Sequence, residues 1–257
     1  MSEPDVLILP DPAAVAEAAA VRIVDGLAAG IAARGEAHWA TTGGSTPAGI
    51  YDAIVGTDLR TAIAWDRVHL WLGDDRFVRR ADPRSNLRIA DERLLGPAGV
   101  AIAAGHVHPV PSDAAIDAGR GPAAAAAAYA AEAAALVPAG RGGMPAFDVV
   151  VVGIGPDGHL LSVFPGSPAF DDARVVLPVP APAHVEPHLE RVTFHPAILD
   201  ATRSLIVPVL GAGKAAILRD VLGPDRDERR WPAQRARRAG AAWILDEAAA
   251  AGLALPD

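Results

Sequence analysis

The run "VVVVGIGPDGH", from Val149 to His159, brings an acid and an imidazole to the end of an apolar strand. A histidine in that place can act as a general base near neutral pH, and Asp157, two residues before His159, can orient the ring or stabilise its charge. A structural histidine with satisfied ring nitrogens is the alternative. The same run contains G-x-G-x-x-G at Gly153, Gly155 and Gly158, the form of a dinucleotide-binding turn. That reading fails in detail. Asp157 sits where its charge would repel a pyrophosphate, and the acidic pair Asp171 and Asp172 comes closer than the ~20-residue spacing of the fingerprint. "FPGSP" then breaks any helix after little more than one turn.

Three other stretches carry residues suited to binding an anion. In "TTGGSTPAGIY", from Thr41 to Tyr51, Gly43 and Gly44 let the backbone approach a ligand and Ser45 and Thr46 offer hydroxyls. Pro47 suits a first helical turn, and a helix N-terminus attracts phosphate. A glycine-rich turn with a Ser/Thr cap fits the same letters. In "LWLGDDRFVRRADPRSN", Asp74, Asp75 and Arg76 leave a strand end, where ligands of open α/β sheets gather; weak surface ion pairing is the alternative. In "SLIVPVLGAGKAAIL", Lys214 follows a glycine turn. The spacing is not that of a Walker A loop and Ala215 replaces its hydroxyl residue, but a lysine at a helix start can neutralise a phosphate as a point charge.

The remaining candidates are weaker. His106 with His108, and His184 with His188, match no standard zinc spacing, and no cysteine supports them, so no metal is expected. The arginines between Arg226 and Arg238 are interleaved with acids and read as a solvated helix or loop face.

These residues need strands that end in loops. Short β-branched runs recur ("DVLILP", "AHWATTGG", "RVHLWLGDD", "HVHPV", "FDVVVVGIG", "SLIVPVLG", "AAWILD"), separated by Ala- and Leu-rich stretches. The stretches predict helices over Ala13–Ala33, Thr46–Ile54, Ser85–Leu95, Pro122–Leu136 and Lys214–Leu222. Alternation of this kind predicts an α/β fold with a mostly parallel central sheet covered on both faces. The Ala-rich segment from Pro122 reads as a packing helix without chemistry. The proline-rich stretch from Val175 to Val192 has no convincing period and reads as a long loop near the site. With no internal repeat or clear linker, residues 1–257 read as a single domain.

Composition bounds the partners. Half of the 257 residues are hydrophobic and 21% are charged, an ordinary globular balance. A formal charge of −8 argues against nonspecific attraction to nucleic acid or anionic lipid, so an anionic ligand needs a local site. The absence of cysteine excludes disulfide and thiolate chemistry and points to a reducing cytoplasm. The N-terminal stretch has acids where a secretory signal has positive charge, and its apolar run from Val6 to Leu9 is too short to span a bilayer.

Taken in order, "GGSTP", "GDDRFV…DPRSN", "FDVVVVGIGPDGH…SVFPGS", "ERVTFHPAIL…GAGKAAIL" and "PAQRARRAGAAWILD" resemble the 6-phosphogluconolactonase family, within the group that includes the glucosamine-6-phosphate deaminases. The resemblance runs from about Val6 to the last helix. It implies a Rossmann-like three-layer α/β/α sandwich and hydrolysis of 6-phospho-D-glucono-1,5-lactone to 6-phosphogluconate, the second step of the oxidative pentose phosphate pathway. It also implies His159 as the base that activates water, with Gly43, Gly44, Ser45, Thr46, Arg76 and Lys214 around phosphate and sugar, and no metal or nucleotide. Asp157 is then expected to place the imidazole. Asp74 is expected to line the substrate site, and Arg76 or loop N–H groups to stabilise the oxyanion. A monomer or weak homo-oligomer is expected.

The chain departs from the family's pattern at two places: Asp75 stands where "DER" is common, and "GHLLS" at His159 to Ser162 where "GHTAS" is common. Two rivals remain. Deaminases resemble this chain through the cradle, the "DGH" loop and the lysine, but carry "FNEP" five residues past the histidine, where this chain has Phe164-Pro165-Gly166. A non-catalytic sugar-phosphate sensor would keep the cradle without the chemistry; an intact His159 and Asp157 argue against it.

Overall fold

The computed structural model describes residues 3–96 and 98–253. The chain runs through β1 (Asp5–Leu9), α1 (Pro12–Arg34), β2 (Ala37–Thr41), α2 (Ser45–Val55), β3 (Val68–Leu72), the short β4 (Asp74–Arg76) and α3 (Leu87–Arg93). It continues with β5 (Val107–His108), α4 (Ser112–Asp117), α5 (Pro122–Leu136), β6 (Val149–Val151), β7 (Val176–Val179) and β8 (Arg191–Phe194). Last come α6 (Ile198–Ala201), β9 (Ser204–Val209), α7 (Ala215–Leu222), β10 (Ala241–Asp246) and α8 (Glu247–Ala250).

Seven strands form one sheet in the order β1-β10-β9-β6-β2-β3-β5, with every neighbouring pair parallel. These seven are the seven apolar runs of the sequence. A parallel strand covered on both faces needs apolar side chains on both, and the valine run shows how they divide. Val149 and Val151 enter the core under α1 and α2, whereas Val150 and Val152 enter the core on the opposite face. Trp39 and Ala40, and Leu70 and Trp71, split in the same way.

Helix α1 starts where Asp11 accepts a hydrogen bond from the Ala14 N–H at 2.9 Å, and Pro12 occupies its first turn. It buries Val15, Ala19, Ile23 and Leu27, four residues apart, against the sheet. Helix α5 lies on the other face. Its Tyr129 hydroxyl accepts from the Leu72 N–H at 2.9 Å, which secures the end of β3 just before the Asp-Asp-Arg run.

From β2 the chain steps to β3 and β5 on one side; from β6 it steps to β9 and β10 on the other. The strand order therefore reverses between β2 and β6, and ligands of open α/β sheets bind at such a reversal, beyond the carboxyl ends of the strands.

Two expectations change. Residues 175–192, expected as a loop, contribute β7 and the first residues of β8, which with β4 make an antiparallel three-stranded sheet. Pro178 is tolerated because β7 is an edge strand. Only the connection from Pro180 to Glu190 lacks regular structure. The second change is at α3, which begins at Leu87 rather than Ser85, because Ser85 and Asn86 are held by a carboxylate from β4.

Candidate active site

The loop Thr42-Gly43-Gly44 leaves β2 and opens α2, whose N-terminus has no side-chain cap. Its first-turn N–H groups are left for another acceptor. They border a cavity of about 240 Å³ that Gly43, Gly44, Ser45, Thr46 and Lys214 line together. Lys214 closes the short 3-10 turn before α7 instead of lying inside the helix. Its ammonium donates to the Ile154 carbonyl at 2.6 Å, which aims it across the reversal point toward the cradle. Burial pulls its pKa below the usual lysine range, with the charge of Asp157 acting in the opposite direction. Such a partly desolvated ammonium gains from an anionic partner.

A second cavity of about 140 Å³ shares Thr42, Gly43, Gly44, Gly153 and Ile154 with the first and adds Asp74, Arg76, Asn86, His159, Leu161 and Arg191. His159 is seated by the glycine loop: a β-carbon on Gly155 would overlap its Nδ1 and Cε1. This close seating is what Gly155 of the G-x-G pattern serves, whereas a β-carbon on Gly153 would meet nothing. His159 Nδ1–H donates to Asp157 Oδ1 at 2.5 Å, and the Asp157 oxygen also accepts the His159 backbone N–H at 3.1 Å. Burial alone would raise the Asp157 pKa, but hydrogen bonds from His159 and His184 outweigh it and hold the carboxyl well below the usual range. An ionised Asp157 fixes the proton on Nδ1 and leaves Nε2 of a neutral ring as the acceptor.

Strand β4 supplies the third wall. Asp74 is buried and accepts from the Ser162 hydroxyl. Arg76 donates to Asn86 Oδ1 at 2.6 Å and to the Arg84 carbonyl at 2.9 Å, while its Nε is buried without a partner among the described residues. Across the β4–β8 ladder, the half-buried Arg76 stands opposite the buried Arg191, whose Nε is likewise unpartnered among the described residues. Buried, unspent N–H donors of two arginines mark a place where negative charge is welcome.

The sequence candidates therefore assemble at one crevice: the cradle and Lys214 around one cavity, Asp74, Arg76 and His159 around its neighbour, and Asp157 behind the imidazole. Residues not singled out from the sequence are Thr42, Asn86, Ile154 and Arg191. None stands in a spacing that chemistry demands; Arg191 is brought in by antiparallel register and Asn86 by its bond to Asp74 and Arg76. The two histidine pairs separate. His106 and His108 stack with His69 at the opposite ends of the strands, whereas His184 reaches Asp157. Among the described residues, no group of three or more His, Asp or Glu side chains is arranged to hold a metal ion. A larger cavity, about 660 Å³ beside Pro4, Leu222 and Arg237, is lined by none of the residues expected around the substrate. Arg237 corrects the solvated reading of its cluster: it is buried and donates to the Val221 and Gly223 carbonyls at the end of α7.

Residues 10–244 match the family described as glucosamine-6-phosphate isomerases/6-phosphogluconolactonase. A 6-phosphogluconolactonase of Synechocystis sp. is 32% identical over 97% of this chain and 98% of its own length. One of Streptomyces coelicolor is 37% identical over 97% and 95%. The chain belongs to the 6-phosphogluconolactonase family. Solved structures agree: the 6-phosphogluconolactonase from Trypanosoma cruzi superposes with a TM-score of 0.85 at 26% identity, covering 99% of both chains. That from Trypanosoma brucei gives 0.84 at 28% identity over 99% of this chain and all of its own.

Within the 6-phosphogluconolactonase family, both departures of this chain have structural explanations. Asp75 is buried and braces the turn beyond β4, accepting the Asn86 N–H at 2.6 Å, the Arg76 N–H at 2.8 Å and the Ser85 hydroxyl at 2.8 Å. A short acid reaches all three, so Asp75 positions Asn86 and Arg76. Leu160 and Leu161 are buried in the core beneath the base; Leu161 takes φ of +53°, an unusual conformation for a branched side chain.

Proposed function

We propose that this chain hydrolyses 6-phospho-D-glucono-1,5-lactone to 6-phospho-D-gluconate, in the oxidative pentose phosphate pathway, with His159 as general base. The observation that carries the reading is the Asp157–His159 pair standing at a cavity that shares a wall with an anion cradle. The phosphate occupies the α2 N-terminus beside Ser45, Thr46 and Lys214, and the lactone ring extends over Gly43 toward His159, Asp74 and Arg76.

In the reaction, His159 Nε2 takes a proton from water as the water oxygen attacks the lactone carbonyl carbon. The carbonyl oxygen becomes an oxyanion, stabilised by Arg76 or by N–H groups of the glycine loops. Collapse of the tetrahedral intermediate breaks the bond from that carbon to the ring oxygen. The imidazolium returns its proton to the departing oxygen, giving a hydroxyl and a carboxylic acid that ionises. Asp157 stays ionised throughout, holding the ring and offsetting its transient charge.

The deaminases carry "FNEP", with its carboxylate, five residues past the histidine; here Phe164-Pro165-Gly166 fills that region and the Phe164 ring packs on His159 with centroids 4.7 Å apart, which favours the lactonase. Every residue invoked comes from one chain, so the proposal needs no second subunit, and the cysteine-free sequence supports a cytoplasmic setting. No helix among the described residues is long and apolar enough to cross a membrane.

The test follows hydrolysis of freshly generated lactone against its spontaneous rate. Wild type should accelerate it, and His159→Ala should lose about 10²–10⁴ in rate. Near-normal turnover by the variant would remove His159 from the role of base; no acceleration by folded wild type would remove the activity.

A further inference from the structure

Asp157 serves two imidazoles. His159 holds its Oδ1 at 2.5 Å, and His184 Nε2–H donates to its Oδ2 at 2.9 Å. His184 arrives from the connection between β7 and β8, in which no catalytic spacing is visible. That connection is itself tied down: His188 donates from Nδ1 to the Pro182 carbonyl at 2.7 Å and approaches Glu186 within 3.0 Å, and Arg191 donates to the Pro187 carbonyl at 3.3 Å. Phe164 forms a common floor. Its ring lies 4.7 Å from His159, 5.6 Å from His184 and 5.4 Å from the Arg191 guanidinium.

We propose that His184 is a positioning residue of the hydrolysis: by occupying Oδ2 it fixes the plane of the Asp157 carboxylate toward His159 and takes a share of its negative charge. The proposal rests on His159 being the base. Its physical content is a coupling, since one carboxylate does not neutralise two imidazolium rings and protonation of either ring opposes protonation of the other. His184, by donating to Oδ2, draws part of the carboxylate charge away from His159. Without it, the whole carboxylate charge acts on His159 and favours the imidazolium, which is useless for taking a proton from water. The other charges around the pair are Lys214, which acts on Asp157, and Asp74, Arg76 and Arg191, which line the cavity with His159. Glu186 and His188 lie on the same connection as His184. All of these are unchanged in a His184 variant, so the difference from wild type isolates this one ring. More than half of the His184 side chain is exposed, so its removal leaves no core cavity.

The experiment is the pH dependence of kcat and KM for lactone hydrolysis by wild type, His159→Ala, His184→Ala and His184→Gln. Acceleration by wild type, lost in His159→Ala, secures the underlying reading separately; its failure would count against that reading before any His184 result is considered. His184→Ala should then be about 3–10-fold slower than wild type below about pH 6.5 and converge on it above about pH 8, with the loss in kcat, because a displaced acid limb acts only where the base is being protonated. His184→Gln, whose amide N–H reaches the same oxygen, should recover much of the acid-side activity. A His184→Ala profile that superimposes on wild type would overturn the proposal. So would a loss of the same factor at every pH that glutamine does not relieve, since that pattern belongs to a purely structural tether.

Discussion

Asn86 occupies the space that a side chain on Gly43 would need: a β-carbon there would overlap Asn86 Oδ1, the oxygen that accepts from Arg76. The loops after β2 and β4 are thus interlocked through a missing side chain. Gly43→Ala should push Asn86 aside and free the Arg76 guanidinium, lowering kcat/KM by about 10–100-fold, the scale of a misplaced catalytic group. Circular dichroism should be unchanged. Because both changes act on one contact, Gly43→Ala combined with Asn86→Ala should be far less harmful than the product of the two single effects. Strict additivity would show that the loops act independently.

Lys214 separates binding from chemistry. If its ammonium meets the phosphate, Lys214→Met removes a charge-assisted contact of about 1.5–3 kcal/mol, so kcat/KM for the phosphorylated lactone should fall about 10–100-fold, chiefly through KM. Hydrolysis of an unphosphorylated lactone should be slow and equal in both proteins. An equal fractional loss on both substrates would place the lysine's role at the reacting end of the molecule.

Asp75 makes a signed prediction for the interval from acid to neutral pH. Burial pushes its carboxyl up to about 7, against hydrogen bonds from Asn86, Ser85 and Arg76, with the charge of Asp74 adding to the rise. A group raised in the folded state keeps its full stabilisation below the unfolded value and loses it as pH climbs through the folded one. Asp75→Asn keeps an oxygen for the two N–H donors and turns an N–H toward Ser85. It should therefore gain stability relative to wild type as pH rises from about 4 to about 7. Asp75→Ala orphans three donors and should cost about 2–4 kcal/mol at pH 5, a gap that narrows toward pH 8 as wild type loses stability. Urea midpoints at pH 5 and 8 decide the matter; a constant gap between Asn and wild type would show that Asp75 is ionised throughout.

The histidine stack at the start of the strands predicts the opposite slope in acid. Burial, and then repulsion from His38, His106 and His108, pull His69 down to about 4, against the pull of Glu36. His69 Nδ1 lies 2.9 Å from His108 Nε2, and His108 Nδ1 lies 2.6 Å from Glu132, so the neutral rings form a chain. The unfolded state binds protons more readily, and stability is lost as pH falls from about 6.5 toward about 4. His69→Asn retains an N–H toward His108 without titrating, and its melting temperature should fall less over that interval. Parallel curves would remove His69 from the acid response.

The seven strands of the large sheet were legible because a strand buried on both faces writes its environment as an unbroken apolar run. The small sheet was not. β4 is Asp-Asp-Arg and β8 begins with Arg191, polar where they border the crevice, while the apolar β7 is only four residues long and interrupted by Pro178, so local propensity and tertiary role disagree there. The glycine loops, His159 and Lys214 were legible for the converse reason, since their types at strand ends serve no packing purpose. Asn86 and His184 had no such signal. Asn86 is recruited by Asp75 and Arg76, and His184 by a carboxylate that the sequence already accounts for through His159.

The reversal of strand order between β2 and β6 also fixes when activity can arise during synthesis and folding. The cradle glycines are made early and Lys214 late, and they meet only after β6 has docked beside β2 and β9 beside β6. Contacts so distant along the chain are costly to close and form with the sheet as a whole. A nascent chain released before β9 already carries His159, Asp157 and the glycine loops, but lacks the cation that completes the anion site. Recovered turnover on refolding is consequently a reporter of sheet completion, whereas helical signal reports only the covering layers.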